Sequence, residues 1–172
     1  TYLALLHERL ITVPHLVRLC GASPWITAQL AAQPHLLDEL LDARTLYRPP
    51  ERNELQIDLD EELGAVEEGD VEQEMAALRQ FRQRQMLRVA AADIAGAVPL
   101  MIVSDHLSNI AEVCLMAALR LARRDISARH GVPRDEQGRE VGFAIVAYGK
   151  LGGIELAYGS DLDVVFVHGE CK

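Results

Sequence analysis

The spacing of apolar positions divides the chain into a long helical stretch and a short terminal stretch of a different period. Tyr2 to Cys20 carries apolar residues at mostly helical spacing with a break expected at Pro14. Ser23-Pro24 then sets an N-cap residue ahead of proline at the first helical position. A short helix to about Ala32 follows. Pro34 opens another through Leu41, and Arg48-Pro49-Pro50 closes it as a stiff connection, because proline lacks an N–H and restricts the residue before it. Asp70 and Gln73 have capping-box spacing at the head of a long helix, whose apolar positions Met75, Leu78, Phe81, Met86 and Val89 describe one face. Arg79, Arg82 and Arg84 lie mainly elsewhere on it, as a solvated or partner-helix face.

Ala95-Gly96-Ala97-Val98-Pro99 punctuates that helix, and Ser104-Asp105 is expected to cap the next one. There Leu107, Ile110, Cys114, Ala117 and Leu121 recur at helical steps to about Ala128. Two long helices with a short join pack antiparallel, and small alanines permit close approach. His130-Gly131-Val132-Pro133 ends the second long helix, Arg134 to Glu140 is a charged loop, and residues 1–138 therefore read as a helical bundle region.

From 139 to 172 the pattern changes. Gly142 to His168 contains an apolar strand, a glycine-rich turn, and a second apolar strand (Val164, Val165, Phe166, Val167) opening with Asp161 and Asp163. Alternation along a strand puts both carboxylates on one face. Mg²⁺ suits such a pair, because it takes one or two protein carboxylates and fills its other positions with water and substrate phosphate. Gly149, Gly152, Gly153 and Gly159 would let the backbone turn tightly and approach a triphosphate. Taken alone, Asp-x-Asp is common at strand starts, and Gly-Gly between apolar runs is a simple turn. In this order and this close, Gly152-Gly153 followed by Ser160-Asp161-Leu162-Asp163 matches the DNA polymerase beta type of nucleotidyltransferase. Neither Gly-x-x-x-x-Gly-Lys-Ser/Thr nor Gly-x-Gly-x-x-Gly occurs. The fold expected is mainly α: a helical bundle region followed by the first β-hairpin of a DNA polymerase beta-like nucleotidyltransferase domain (α+β).

The run from Tyr148 to Phe166 resembles the signature of the bifunctional glutamine synthetase adenylyltransferase/adenylyl-removing enzymes, large bacterial proteins with two nucleotidyltransferase domains. Phe81 to Gly96 and Gly21 to Thr27 resemble that family as well. The resemblance implies that one domain attaches AMP from ATP to a tyrosine of glutamine synthetase, and that the other removes it by phosphorolysis. Tyr148, Gly159-Ser160 and the Gly-Ala-Ser-Pro-Trp segment look more like the C-terminal, AMP-attaching half. It further implies that Asp161 and Asp163 are catalytic and hold Mg²⁺, with ATP as substrate. Gly152, Gly153 and Ser160 would contact phosphate oxygens. Lys150 would offset phosphate charge, with an exposed turn lysine as the equal alternative. Glu155 reads as a hydrogen-bond partner for the turn, and Asp93 as the partner of Arg88 or another arginine. Implied partners are glutamine synthetase and a PII-type nitrogen-signalling protein. Two alternatives stand beside this: a non-catalytic helical interaction module of the same enzyme, or its phosphorolytic half.

The polymerase beta type of site takes a third carboxylate from a later strand, so a chain running from Thr1 to Lys172 is expected to be a piece of a larger protein, without AMP transfer of its own. A lone hairpin is marginal in water and must pack on the helices. At 172 residues and 49% hydrophobic content a real core is within reach. Cys20, Cys114 and Cys171 are far apart with no Cys-x-x-Cys pair, which argues against a disulfide framework or zinc site and for a reducing cytoplasm. The histidines are scattered. No apolar run approaches the roughly 20 residues needed to span a bilayer, so no membrane is expected. The net charge of −9 is concentrated between Glu51 and Glu74. That acidic run argues against a nucleic-acid partner and reads as a solvated helix pair and loop, with a docking surface for a basic protein as the alternative.

Overall fold

The computed structural model describes residues 12–38 and 47–170. Its order is α1 (Thr12–Ala22), α2 (Pro24–Ala32), a 3₁₀ turn (Pro34–Leu36), α3 (Arg52–Gly64), α4 (Val71–Ile94), α5 (Leu100–His130), β1 (Phe143–Ala147), a single helical turn α6 (Gly149–Gly152) and β2 (Val164–His168). Among the described residues the protein is mainly helical, with one antiparallel hairpin. Cys171, and the part of the expected Pro34–Leu41 helix beyond Asp38, lie outside the described residues.

Local chemistry explains most of the starts. Ser23 caps α2 by accepting the Ile26 N–H on Oγ, with Pro24 in the first turn. At α4 the Asp70 carboxylate accepts both the Gln73 N–H (3.0 Å) and the Gln73 side-chain amide (2.6 Å). A reciprocal capping box sits instead at α3, where Glu54 reaches back to accept the Glu51 N–H at 2.9 Å. Two expectations fail. Pro14 lies in the first described turn of α1, where a proline's missing N–H costs no intrahelical bond, and the helix runs on through it; the expected stretch before Thr12 lies outside the described residues. α5 begins at Leu100, directly behind Pro99, whose carbonyl accepts from Ile102 and Val103; Ser104 and Asp105 are already inside the helix. The first turn of α5 is apolar and exposed, so nothing in its composition announces a start there.

α4 and α5 pack antiparallel, as the ion pair between Glu74 early in α4 and Arg124 late in α5 (2.7 Å) shows. One face of α4, with Leu78, Phe81, Met86 and Val89, meets Val103, Leu107, Ile110 and Val113 of α5 and Leu55 and Leu59 of α3. Met75, expected on that face, is 41% exposed. A second face, Leu87, Ala90 and Ala91, buries against Leu19, Ile26, Leu30 and Leu36. α4 thus lies between two apolar clusters, and that accounts for its many buried positions. By length and composition α5 is apolar enough to cross a bilayer, a feature that counting uninterrupted runs does not reveal; 44% of the qualifying stretch is buried within the protein.

The acidic segment is helix, turn and helix, and four of its eleven acids are ion-paired. Arg84 meets Glu62, Arg120 meets Asp60, Arg124 meets Glu74, and Arg48 meets Glu54. The hairpin pairs Phe143↔His168 through Ala147↔Val164, and both strands are largely exposed. Its anchor is the connection. Leu151 and Leu156 are buried in the main cluster, with Tyr158 and Val164 packed against it.

Candidate functional site

The connection between the strands is built around a few close approaches. Below the hairpin, Tyr148 donates its N–H to the Asp163 carbonyl at 2.8 Å, and the chain turns into α6 at Gly149, φ 53°. A Cβ on Gly149 would stand 2.4 Å from Asp163 Oδ2, and one on Gly152 would stand 2.7 Å from the Ala147 carbonyl oxygen. These two glycines are sterically required. Gly153 and Gly159, expected to serve the same turn, have no such contact and no positive φ. Ile154, φ 57°, is the one non-glycine residue with positive φ among those described. A branched side chain rarely adopts that conformation. It follows the end of α6, where Ile154 donates to the Leu151 carbonyl and Glu155 to that of Lys150. Glu155 therefore does serve the turn, through its backbone N–H.

The N–H groups of Gly152 and Gly153 are taken up by the carbonyls of Tyr148 (2.9 Å) and Gly149 (3.0 Å), so in this conformation they shape the turn instead of facing a ligand. Ser160 closes a second turn: its N–H donates to the Ala157 carbonyl at 3.0 Å, while its Oγ accepts the Ala157 N–H at 3.0 Å. The hydroxyl proton remains free to donate. That turn delivers Asp161. Asp161 and Asp163 precede β2, which starts at Val164, so they belong to an extended lead-in and not to the strand itself. Both are exposed, and no ion pair or side-chain hydrogen bond engages either carboxylate among the described residues. Lys150 is exposed on α6. Among the described residues no group of three or more His, Cys, Asp and Glu could hold a metal alone. Two free carboxylates nevertheless fit Mg²⁺, which draws the rest of its shell from water and phosphate.

One contact was not legible in the pattern of the chain. Asp93, near the end of α4, accepts a hydrogen bond from the Tyr158 hydroxyl at 3.0 Å, and the arginine partner expected for it is not what this contact provides. The Tyr158 ring lies 6.2 Å from that of Trp25 on α2, tilted by 35°. Burial, reinforced by the Asp93 carboxylate, holds the Tyr158 hydroxyl well above the usual tyrosine range. Asp93 is half-buried, and the sequence pattern could not name a partner so distant along the chain.

The sequence model of the family described as Glutamate-ammonia ligase adenylyltransferase matches residues 13–172. The chain belongs to that family. A relative from Thioalkalivibrio sulfidiphilus (strain HL-EbGR7), the "Bifunctional glutamine synthetase adenylyltransferase/adenylyl-removing enzyme", is 58% identical over 170 residues. Those residues are 97% of this chain and 18% of the relative, so the chain spans about a fifth of that protein's length. The adenylyltransferase match takes in α1 to α5 as well as the Asp161 and Asp163 segment, and the helices are as much part of the family's sequence as the hairpin.

Proposed function

We propose that this chain contributes the carboxylate pair of an adenylyltransferase that moves AMP from ATP to a tyrosine hydroxyl of glutamine synthetase in the cytoplasm, in the AMP-attaching half of the whole protein. Residues 1–138 serve as its helical support, and 139–172 begin the transferase domain. The observation that carries this reading is the pair of exposed, unengaged carboxylates, Asp161 and Asp163, presented beside a glycine turn whose missing Cβ at Gly149 leaves room for the Asp163 carboxylate.

Asp161 and Asp163 would hold Mg²⁺, which when bound neutralises triphosphate charge and lowers the pKa of the attacking hydroxyl. Ser160 offers a hydroxyl proton to a phosphate oxygen, and the Lys150 ammonium adds positive charge on the exposed side of α6. Gly152 and Gly153 set the path of the backbone that brings these groups together. The AMP-attaching assignment, a PII-type signalling partner and a role in nitrogen regulation rest on the resemblance of Tyr148 to Phe166. Residues 1–172 by themselves are expected to transfer no AMP.

The test uses the full-length protein, with both reactions assayed on the same preparation. Asp161→Asn and Asp163→Asn keep size but remove a metal-balancing charge, and each should lower AMP attachment by about a thousandfold or more, the several kcal/mol that a metal contributes to a transition state. Phosphorolytic removal should persist. Loss of removal with attachment intact would move the segment to the other half, and retention of both would mean that these carboxylates are not catalytic.

A further inference from the structure

Tyr158 occupies the position where the site meets the helical body. Its backbone sits inside the Ala157–Ser160 turn that leads directly into Asp161, and its ring packs against both apolar clusters, as does the ring of Trp25. Its hydroxyl reaches Asp93 at 3.0 Å, in the last turn of α4. A cavity of about 180 Å³ lies beside this junction, bordered by Ser23, Trp25, Ala90, Asp93 and Tyr158. The Tyr158 ring is therefore not enclosed on that side. A phenol donating to a carboxylate is a directional, charge-assisted bond, stronger than a neutral one. Among the described residues it is the one side-chain hydrogen bond that joins the segment from Tyr148 to Asp163 to a helix of the bundle.

We propose that Tyr158 is a positioning residue for AMP transfer: its hydroxyl, held by Asp93, locks the Ala157–Ser160 turn onto α4 and so sets where Asp161 and Asp163 present their carboxylates. This rests on the transferase reading above. Removing groups that orient metal ligands commonly costs ten- to a hundredfold in metal affinity or activity. Tyr158→Phe keeps the ring against Trp25 and deletes only the tie.

In the full-length protein, Tyr158→Phe should lower kcat for AMP attachment by about ten- to a hundredfold and raise the Mg²⁺ concentration needed for half-maximal rate, leaving KM for glutamine synthetase and the circular dichroism spectrum unchanged. Mn²⁺ binding, followed by the paramagnetic resonance of the free ion, should weaken by a similar factor in the component that Asp161→Asn abolishes. Asp93→Leu should reproduce the loss, Asp93→Asn should restore most of it by keeping an acceptor oxygen, and Tyr158→Phe with Asp93→Leu should be no worse than either alone. Wild-type kcat, Mg²⁺ requirement and Mn²⁺ binding in Tyr158→Phe would overturn the proposal, as would additive losses in the double variant. If Asp161→Asn itself changes neither Mn²⁺ binding nor attachment, it is the transferase reading that has failed.

Discussion

At the scale of single residues, the glycines of the connection are not equivalent. Gly149 combines φ 53° with a Cβ position 2.4 Å from Asp163 Oδ2. Alanine there carries the roughly 1–2 kcal/mol cost of a left-handed conformation, and the new methyl displaces a carboxylate that can swing aside. Gly149→Ala is expected to fold with about that loss in urea denaturation, and to lose most AMP attachment in the full-length protein. At Gly152 the obstacle is the backbone carbonyl of Ala147 at 2.7 Å, which cannot rotate away, so Gly152→Ala should cost more stability than Gly149→Ala. Gly159 faces open space and has no positive φ, and Gly159→Ala should stay within about 0.5 kcal/mol of wild type. A Gly159→Ala protein as damaged as the other two would show that this steric ranking is wrong.

At the scale of elements, α3, α4 and α5 are held by charge as well as by apolar contact. Glu74 is 3% exposed, and Arg124 reaches it from α5 at 2.7 Å. The hydrogen bond from Arg124 is the largest influence on Glu74, opposed by burial and helped by the Gly69 N–H, and it holds the carboxyl below glutamate's ordinary value of 4.5. A carboxyl whose folded pKa is depressed stabilises the fold above its unfolded value and loses that contribution as pH falls through the folded one. The thermal midpoint should therefore fall as pH drops below about 4.5. In Arg124→Leu the midpoint at neutral pH should already be lowered, because Glu74 is left buried without its partner, and this part of the acid dependence should vanish. An unchanged acid profile in Arg124→Leu would remove the pair from the account. The same geometry refines the acidic run from Glu51 to Glu74: Glu74 is buried against Arg124, while Asp60 and Glu62 meet arginines of α5 and α4 nearer the surface.

At the scale of the whole molecule, α4 separates the two apolar clusters, and the Trp25–Tyr158 pair lies against both. The hairpin offers little apolar cover of its own and depends on Leu151 and Leu156, the leucines of its connection, which are buried among residues of α3, α4 and α5. Leu156 also borders an apolar cavity of about 250 Å³ between α4, α5 and the site loop. Leu156→Ala enlarges an existing void and should cost about 2–5 kcal/mol, the range for buried leucines. Because the loop and helices share one core, helix signal and Trp25 emission should melt together in wild type. Separate transitions would show that the hairpin segment is not part of that core.

The sequence by itself determined whatever depends on near neighbours along the chain. Helical period located α4 and α5, Ser23-Pro24 and Asp70 announced their helix starts through local capping, and the run from Tyr148 to Phe166 pointed to the family by its resemblance, because each of these signals lies within one short stretch of chain. The start of α5 was missed, since its first turn is apolar and exposed and only Pro99 marks it. Tertiary structure alone decided the rest. The second buried face of α4 exists because α1 and α2 fold back on it, and no period predicts a second partner. Asp60 meets Arg120 across 60 residues, and Asp93 meets Tyr158 across 65. Pairings at such separation follow from how helices pack, not from any local preference. Even at position 149, where the left-handed φ of 53° already favours glycine, the neighbour that a side chain would meet is a carboxylate fourteen residues further along the chain.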